Sequence, residues 1–410
     1  MAKSESQTLW QWSNPNLPSG LARAPNPYPF RADSASLMSH KIYLLPGDGV
    51  GPEVVREGVK IMKAAESAFG LSLEFIDVPG GALYYKEHGK DWPDGSMERL
   101  RDDSDAILLG AVGWPGVSKP DGALAGGSLV LGVRFGLDLY ANVRPTKLFP
   151  GVQHKVHDGF KQVWEPGRVD FVIVRENTED LYSNTHGHLT RGGVTEVATD
   201  VRIITRKGSE RVIRFAFELA KKRKGAISDG KRRVTCVDKS NVMRGCQLFR
   251  QVYDEVAGGY AGIERDYAYI DAFQQWLVRQ PEFYDVAVTS NMMGDIATDL
   301  AAVLQGGMGM ASSGNIGDRH AMFEPIHGSA PKHAGQDKVN PMATALAVQQ
   351  LFDYLGAKQG GKGYHEAAAA VERAVAGACA DGKVLTYDLG GSAKCSEVGS
   401  KLAAAVAAAK

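Results

Sequence analysis

From residue 41 onward, short apolar runs alternate with turns and amphipathic stretches, and this alternation limits the possible folds more than any other feature of the sequence. KIYLLPG (41–47) predicts a buried strand, and the segment 51–70 predicts a helix with Pro52 in its first turn and Gly70 at its end. The other predicted strands are SLEFIDV, AILLGAV, FVIVREN, RVTCVDKSN, YAYIDAF and DVAVTSNMMGD. Strands that alternate with helices in this way predict an α/β architecture.

The composition argues against two broad classes of partner. The 410 residues include 47 basic and 47 acidic side chains, so the formal net charge is zero. Such a balance does not suit a nucleic acid or an anionic membrane surface, and no apolar run reaches the roughly 18–20 residues that span a bilayer. The four cysteines show no CxxC spacing, which is typical of reduced proteins. We therefore expect a cytoplasmic protein that binds neither nucleic acid nor membranes.

The first forty residues differ in composition from the rest of the chain. They are rich in Pro, Ser and Asn and show no helical or strand periodicity. We predict that residues 1–40 form an irregular extension before a compact domain. Arg23 and Arg31, with few acidic residues around them, leave import into an organelle as an alternative.

Polar residues follow directly after four of the predicted strands. They are Arg175-Glu176-Asn177, Asp238-Lys239-Ser240-Asn241, Asp271, and Asn291 leading to Asp295. In open α/β sheets, ligands bind at the carboxyl ends of the strands, where such side chains converge. Any one group could be a turn former, but four together predict an active site.

The glycine-rich segment LPGDGVGPEV does not have the spacing of a dinucleotide-binding fingerprint. Gly47, Gly49 and Gly51 alternate, and Pro52 stands where the last glycine of GxGxxG belongs. The segment is therefore either a tight strand-to-helix turn or a nucleotide-contacting loop of another kind. The later segment 323–341, FEPIHGSAPKHAGQDKVNP, lacks any period and could wrap a nucleotide.

Three arginines stand in apolar surroundings and point to an anionic substrate. Each of Arg134, Arg144 and Arg175 could form a structural salt bridge, but the guanidinium fork also matches a carboxylate with two parallel hydrogen bonds. Together they suggest a substrate with more than one carboxylate. Tyr182 is a candidate general acid or a packed ring, and Lys239 is a candidate base or an ordinary ion-pair partner.

Asp295 and Asp299 are spaced four residues apart, which places both carboxylates on one side of a helix. Asp295 alone could cap the helix, but the pair could also bind a cation. Hard oxygen ligands favour Mg²⁺ or Mn²⁺, and Asp271 is a candidate third ligand. The residues that we expect to pack on the sheet form a separate apolar stripe, namely Ile296, Leu300, Val303 and Leu304.

From residue 41 to its end, the chain resembles the metal-dependent β-decarboxylating dehydrogenases of (2R)-hydroxy acids, the isocitrate/isopropylmalate dehydrogenase family. The similar segments include LPGDGVGPEV, LDLYANVRP, VIVRENTEDLYS, VDKSNVM, SNMMGDIATDLAA, EPIHGSAP and AGQDKVNP. The resemblance implies a two-domain α/β fold that is not a Rossmann fold. Residues 41–139 and 306–410 would form a large nucleotide-binding domain, and residues 140–305 a small domain with the dimer interface and the metal site.

The resemblance also implies a homodimer whose active sites take residues from both subunits. Arg134, Arg144 and Arg175 would bind the substrate carboxylates. The residues that would hold Mg²⁺ or Mn²⁺ are Asp295, Asp299 and Asp271 of the partner subunit. Lys239 of the partner subunit would take the proton of the 2-hydroxyl as hydride leaves for the nicotinamide, and Tyr182 would help to protonate the enolate that remains after loss of CO₂.

The nucleotide could be NAD or NADP, and the sequence favours NADP. In the NAD-dependent members of the family that this chain resembles, an aspartate usually follows HGSAP directly. This chain has Lys332 at that position, followed by His333. An arginine found after the TYD segment of NADP-dependent isocitrate enzymes is replaced here by Gly391. The residues implied in nucleotide binding are Asn241, Glu324, His327, Gly328, Ser329, Ala330, Pro331, Lys332, His333 and Asn340.

The substrate is expected to be a malate-type (2R)-hydroxy acid, such as 3-isopropylmalate, D-malate or tartrate, oxidised and decarboxylated to a 2-oxo acid. Isocitrate enzymes have a serine and an asparagine before the first arginine; here Ser128 is present, but Val130 replaces the asparagine and Leu131 follows. An apolar wall suits an alkyl group better than a carboxylate. The alternatives are an NADP-dependent isocitrate dehydrogenase and a non-catalytic regulatory subunit, although the latter would be expected to lack catalytic residues that are present here.

Overall fold

The computed structural model describes residues 39–359 and 361–409. The irregular extension predicted for residues 1–40 therefore lies outside the described residues, apart from Ser39 and His40. His40 is the first residue of the first described strand, close to where the compact domain was predicted to start.

Strands and helices alternate along most of the described chain. The strands are β1 (His40–Gly47), β2 (Leu73–Asp77), β3 (Ala106–Ala111), β4 (Ala141–Lys147), β5 (His154–Val156), β6 (Gly159–Lys161), β7 (Asp170–Glu176), β8 (His186–Arg191), β9 (Val194–Asp200), β10 (Arg233–Asp238), β11 (Glu264–Tyr269), β12 (Val286–Thr289), β13 (Ser312–Ile316) and β14 (Ala321–Pro325). The α-helices are α1 (Gly51–Phe69), α2 (Ala82–His88), α3 (Ser96–Asp103), α4 (Leu131–Gly136), α5 (Arg206–Lys222), α6 (Arg244–Ala257), α7 (Ile270–Arg279), α8 (Asn291–Leu304), α9 (Met342–Gln359), α10 (Lys362–Asp381) and α11 (Cys395–Ala407).

Ten of these strands form one mixed sheet in the order β11-β10-β12-β7-β4-β13-β14-β3-β1-β2. The neighbours β11, β10, β12 and β7 are parallel, and so are β14, β3, β1 and β2. Antiparallel pairing through β4 and β13 joins these two groups. The predicted α/β architecture is therefore confirmed. The four strands followed by polar residues are the four neighbours of the first group, so their carboxyl ends lie side by side.

The helix α1 forms where the sequence predicts it, with Pro52 in its first turn. It ends at Gly70, which has a φ of 65° and donates its backbone N–H to the carbonyl of Glu66. Val54, Ile61 and Met62 face the core and are almost fully buried, and each such side chain stabilises the fold by roughly 1.5–3 kcal/mol. The helix thereby covers one face of β1 and β3 and packs against α9 and α11.

The largest apolar cluster extends across both predicted domains. It contains Leu108 and Phe323 from the first, and Ile173 and Phe273 from the second. Further clusters lie under α5 and α6 and beside α3 and α4. The division of the chain near residues 139 and 305 stays a prediction. Among the described residues, no helix is long and apolar enough to cross a membrane.

Two local predictions are wrong. YAYIDAF was expected to be a strand, but β11 ends at Tyr269, and Asp271 lies in the first turn of α7. The expected apolar stripe of α8 is also wrong at two of its four residues, because Ile296 is 53% and Val303 is 45% exposed, whereas Leu304 is fully buried as predicted. The helix packs on the sheet through small residues instead, with Ala297 and Ala301 fully buried. Alanines allow α8 to lie close to β4 and β7, and Ile296 and Val303 face outward.

Candidate active site

Asp295 lies within α8 rather than at its N-cap. The helix begins at Asn291, with Ser290 as the cap residue, so the capping alternative for Asp295 is wrong. One turn separates Asp295 from Asp299, and both carboxylates face the same guanidinium. Asp295 Oδ1 lies 3.4 Å from Arg144 Nη2, and Asp299 Oδ1 lies 3.7 Å from Arg144 Nη1. The spacing thus brings the two aspartates together, as predicted.

Arg175 is the most enclosed of the three arginines, with 1% of its surface exposed near the end of β7. Its Nε and Nη2 donate to Asn291 Oδ1 at 2.9 and 2.6 Å, and its Nη1 donates to Asp295 Oδ1. Gly294 provides the space, because a Cβ there would lie 2.7 Å from Arg175 Cβ and Cγ. The strand β7 and the first turn of α8 are thereby fixed to each other through one guanidinium.

Arg144 projects from β4 into the same space. Its Nε donates to Asn142 Oδ1 at 2.9 Å, and its Nη1 donates to Thr298 Oγ1 at 2.5 Å. Asn142 stands two residues earlier on the strand, so its side chain points to the same face of the sheet. Sequence reasoning missed Asn142 and Thr298, although the i, i+2 spacing in ANVRP was a signal for the first.

Arg134 completes the arginine group from α4. Its Nη2 donates to Glu324 Oε1 at 2.8 Å, while its buried Nε has no hydrogen-bond partner among the described residues. Asn315 Nδ2 donates to the same Glu324 oxygen at 2.8 Å. Glu324, predicted to contact the nucleotide, is therefore engaged with a predicted substrate arginine. The free Nε leaves Arg134 able to bind a further anion.

The three guanidinium groups perturb one another and their neighbours. Burial, together with the charges of Arg144 and Arg134, lowers the pKa of Arg175 to about 9. Burial works against ionisation of Asp295, but the charges of Arg175 and Arg144 outweigh it and hold the pKa of this carboxyl below its usual value. Burial raises the pKa of Asp299. The three guanidinium groups repel one another in this buried space, and an anion that carries several carboxylates would relieve that repulsion.

Tyr182 also reaches the aspartate pair. Its hydroxyl donates to Asp295 Oδ2 at 2.9 Å, and its ring centroid lies 5.4 Å from Arg175 Cζ. Burial and the Asp295 charge raise the pKa of Tyr182, so the phenol keeps its proton. The structure thus places the predicted acid within hydrogen-bond reach of a predicted metal ligand.

Lys239 and Asp271 form a separate pair at the ends of β10 and β11. Lys239 Nζ lies 2.5 Å from Asp271 Oδ1, and this hydrogen bond lowers the pKa of Asp271. Asp238, considered as a partner for Lys239, is instead bound by Arg250. Within residues 39–359 and 361–409, no three His, Cys, Asp or Glu side chains form a group that could hold a metal. One chain therefore does not bring Asp271 to Asp295 and Asp299.

The segment after β14 is an irregular loop, as predicted, and it is anchored to the start of α1. The backbone carbonyl of Ser329 accepts a hydrogen bond from the N–H of Val50 at 2.9 Å. A Cβ on Gly49 (φ 60°) would lie 1.9 Å from that carbonyl oxygen. The Glu53 carboxylate accepts the N–H of Asp337 at 3.0 Å. The alternating glycines thus form a tight turn that supports the later loop.

Several predicted nucleotide residues in this loop have unused polar atoms. Nε2 of His327 and Nδ1 of His333 are buried and have no hydrogen-bond partner among the described residues. Gly328 and Lys332 are exposed, and Pro331–His333 form a short 3-10 turn after Ala330. Asn340 is already engaged, since its side chain donates to Asp388 and accepts the N–H of Met342. Asn241 is exposed, but it lies two residues after Lys239 and outside this loop.

The predicted specificity residues do not share one environment. Ser128 donates to Asp91 Oδ2 from its hydroxyl at 2.5 Å and from its backbone N–H at 3.0 Å. Sequence reasoning missed Asp91, and no motif signals it. Val130 packs partly against the apolar cluster beside α4, whereas Leu131 is 37% exposed. Of the predicted apolar wall, Leu131 is therefore the side chain open to a ligand.

Comparison with known proteins gives four matches, one to a family model, two to relatives and one to a solved structure. The family model described as isocitrate/isopropylmalate dehydrogenase matches residues 41–402. A 3-isopropylmalate dehydrogenase of Clavibacter sepedonicus is 44% identical over 81% of this chain and 89% of that protein. A 3-isopropylmalate/3-methylmalate dehydrogenase of Methanocaldococcus jannaschii is 39% identical over 89% of this chain and 98% of that protein. The crystal structure of isocitrate dehydrogenase from Methylococcus capsulatus has a TM-score of 0.77 at 33% identity, covering 90% of this chain and 99% of that one.

Proposed function

Because the chain belongs to the isocitrate/isopropylmalate dehydrogenase family, we propose that it oxidises and decarboxylates a (2R)-3-alkylmalate with NAD(P)⁺ as the hydride acceptor. The observation that carries this proposal is the arginine group, in which Arg134, Arg144 and Arg175 surround one space beside Asp295. Three guanidinium groups suit a substrate with two carboxylates and a hydroxyl. The free Nε of buried Arg134 supports the same role.

The arginines bind and orient the substrate in this proposal. Arg144 and Arg175 are each held by side-chain oxygens at fixed distances, so their remaining donors are oriented before the substrate arrives. Pre-oriented donors act on charge without the cost of reorganisation during the reaction. Decarboxylation needs the 3-carboxylate to leave from one defined orientation, which such a clamp provides.

Two residues move protons. Lys239 of the partner subunit would take the proton of the 2-hydroxyl as hydride leaves C2. Tyr182 would return a proton to C3 after CO₂ is lost, and its raised pKa keeps the phenol protonated for that task. The loop 326–341 would hold the nucleotide, whose nicotinamide would supply the hydride acceptor.

The carboxylates present suit a divalent cation. Asp295 and Asp299 supply hard oxygen atoms on one helix face, and Asp299 contacts Arg144 only at 3.7 Å, which leaves its oxygens open to a further partner. Together with Asp271 of the partner subunit, they would hold Mg²⁺ or Mn²⁺. When bound, the cation supplies Lewis-acid stabilisation of the negative charge that develops on the substrate oxygen.

A homodimer would unite the two groups of residues. Every residue of the β8–β9 hairpin is exposed, and Leu189 and Val197 face each other across it with 45% and 47% of their surface open. Trp276, Ile296 and Val303 add exposed apolar surface on α7 and α8. Exposed apolar side chains grouped in this way favour a subunit interface. Such an interface would let Lys239 and Asp271 face the partner's aspartates.

The choice of substrate within the family rests on the surface before Arg134. Leu131 presents an apolar side chain there, and the hydroxyl of Ser128 is already donated to Asp91. A γ-carboxylate would meet no free donor from these two residues, whereas an alkyl group would contact Leu131. The names of the relatives, 3-isopropylmalate and 3-methylmalate dehydrogenases, agree with this choice. Isocitrate is the second candidate, because one matching structure is an isocitrate dehydrogenase.

NADP is the proposed nucleotide in preference to NAD. The exposed Lys332 side chain stands directly after HGSAP, where a cation would favour the 2′-phosphate. A second cationic side chain, in place of Gly391, would not fit, because a Cβ there would lie 2.0 Å from the carbonyl oxygen of Leu385. Lys332 would therefore act without the arginine found in NADP-dependent isocitrate enzymes.

An assay of nucleotide reduction tests the proposal. Purified protein with Mn²⁺ should reduce NADP⁺ with 3-isopropylmalate or 3-methylmalate, with a higher kcat/KM than with D-malate, tartrate or isocitrate. Released CO₂ should equal the reduced nucleotide formed. Reduction of neither nucleotide with any of these acids would contradict the proposed function. A higher kcat/KM for isocitrate would move the substrate to the second candidate.

A further inference from the structure

A buried ion pair lies behind the candidate site and contacts neither the arginine group nor the aspartate pair directly. Asp180 is fully buried, and its Oδ1 accepts a hydrogen bond from Arg202 Nε at 2.6 Å. Burying two charges costs free energy, which is offset only when hydrogen bonds satisfy both groups. The remaining polar atoms of Asp180 and Arg202 contact the start of α8, and Arg202 also contacts the first turn of α6.

Asp180 ties the Tyr182 segment to the start of α8. Its Oδ2 accepts the N–H of Met292 at 3.2 Å, and its own N–H donates to the carbonyl of Ile203 at 2.8 Å. Its backbone has a φ of 70°, a conformation that aspartate and asparagine tolerate better than most residues. Tyr182 stands two residues further on, so the direction of the chain into Tyr182 depends on this anchored turn.

Arg202 extends the network to two helix N-termini. Its Nη2 donates to Oγ of Ser290, the cap residue of α8, at 2.9 Å. Its Nη1 lies 3.4 Å from Sγ of Cys246, in the first turn of α6. The turn before α6 begins at Lys239, whose carbonyl accepts the N–H of Met243 at 3.0 Å. One guanidinium thus contacts both the helix that carries Asp295 and the helix that follows Lys239.

We propose that the Asp180–Arg202 pair is a positioning element for the reaction, which holds the Tyr182 hydroxyl in register with α8. The inference rests on the proposed function, because Tyr182 matters only if a proton must be delivered. Asp180 and Arg202 act through Tyr182 and the first turn of α8 and contact no reacting atom. Displacement of a proton donor by about 1 Å can lower a rate by up to roughly a hundredfold.

The test compares Asp180→Asn with a matched change in another buried pair. Asparagine tolerates the same backbone conformation and can still accept the Met292 N–H, so the variant chiefly removes the charge that holds Arg202. Asp285 is the control, because it is also fully buried and its Oδ1 accepts from Arg223 Nε at 2.6 Å. Asp285 lies before β12, whereas α8 follows that strand, so Asp285→Asn disturbs the opposite end of the strand.

We expect Asp180→Asn to lower kcat by about 10–100-fold, with the KM for the hydroxy acid changed less than about threefold. Both variants should lower the melting temperature to a similar extent, but Asp285→Asn should leave kcat within about twofold of the wild type. Amide hydrogen exchange at residues 290–293 should accelerate in Asp180→Asn and not in Asp285→Asn. In a Tyr182→Phe background, Asp180→Asn should lower kcat by less than about threefold further, since both changes remove the same contribution of the Tyr182 hydroxyl.

Two results would overturn the inference while leaving the proposed function intact. One is an Asp180→Asn enzyme with a kcat within about twofold of the wild type; the other is a pair of effects that multiply fully in the double variant. Arg202→Lys provides a second route, because one ammonium cannot keep the contacts with Asp180, Ser290 and Cys246, and it should reproduce the loss in kcat. A wild-type protein that turns over no candidate substrate would overturn the proposed function and this inference together.

Discussion

At the scale of single residues, Asp295 is held in place before any ligand binds. Its two oxygens meet Arg175 and Tyr182, and Arg144 lies 3.4 Å away. Asp299 differs, because it is more exposed and contacts Arg144 only at 3.7 Å. The two aspartates therefore have unequal tasks: Asp295 orders the arginines and the phenol, whereas Asp299 can be altered with little structural cost.

This difference makes Asp299→Asn a direct test of the cation site. The change should raise the Mn²⁺ concentration for half-maximal activity by at least about tenfold, because a neutral amide is a weaker ligand than a carboxylate. The melting temperature of the metal-free protein should stay within a few degrees of the wild type. Glu366→Gln, an exposed change on α10, should leave the Mn²⁺ dependence unaltered. An unchanged Mn²⁺ dependence in Asp299→Asn would exclude Asp299 as a ligand.

Lys332 decides the nucleotide preference in our proposal. Lys332→Asp should shift the ratio of kcat/KM values from NADP⁺ towards NAD⁺ by at least about tenfold, since it replaces a partner for the 2′-phosphate with a repelling carboxylate. Lys383→Asp is the control, because that exposed lysine is paired with Asp381 at 3.2 Å and lies outside the loop. Equal NADP⁺/NAD⁺ ratios in the wild type and Lys332→Asp would refute the role of Lys332.

At the scale of elements, the sequence predicted the helices and strands whose ends have clear signals. Pro52 and Gly70 bounded α1 correctly, and the apolar runs ahead of Arg175 and Asp238 became β7 and β10. The sequence did not predict β4, because Arg144 and Pro145 interrupt its apolar pattern, and in the fold that arginine is paired by Asn142 and Thr298. Such pairing depends on residues distant in the chain, which local patterns do not reveal.

The buried face of α8 could not be predicted from the sequence, for a related reason. Ile296 and Val303 were expected on the buried face, but alanines occupy most of that face and Gly294 gives Arg175 its space. The aspartate spacing was still sufficient to bring Asp295 and Asp299 together, since it depends only on helix geometry. The separation of Lys239 and Asp271 from the arginine group follows from the strand order of the sheet, which no local pattern of the sequence encodes.

The turn between β1 and α1 is the element that supports the nucleotide loop. Gly49→Ala should be more destabilising than Gly89→Ala, although both glycines have positive φ angles of 60° and 68°. A methyl group at Gly49 would meet the Ser329 carbonyl, whereas nothing lies within 4 Å of one at Gly89. Backbone strain alone costs about 1–2 kcal/mol, so Gly89→Ala should lose about that much in denaturant unfolding. Gly49→Ala should lose more and also raise the KM for the nucleotide; equal losses would argue against the packing of the two loops.

At the scale of the whole molecule, the described chain presents two separate groups of candidate site residues. The arginines, Tyr182 and the aspartate pair lie on β4, β7 and their neighbours, whereas Lys239 and Asp271 lie together at the ends of β10 and β11. The exposed β8–β9 hairpin and the outward apolar residues of α8 are available to bind a second copy. In the proposed mechanism, each catalytic centre is therefore completed by the partner subunit.

Subunit complementation tests this requirement most directly. Lys239→Met and Asp299→Lys should each be inactive as homodimers with 3-isopropylmalate, NADP⁺ and Mn²⁺, because the first removes the proposed base and the second places an ammonium where the cation would bind. When the two variants are unfolded together and refolded as a mixture, half of the dimers should be hybrids with one intact site. The account predicts recovery of roughly one quarter of the wild-type activity, because an intact Asp299 then meets an intact Lys239 across the interface. A mixture that stays inactive, although hybrid dimers are shown to form, would contradict the shared active site.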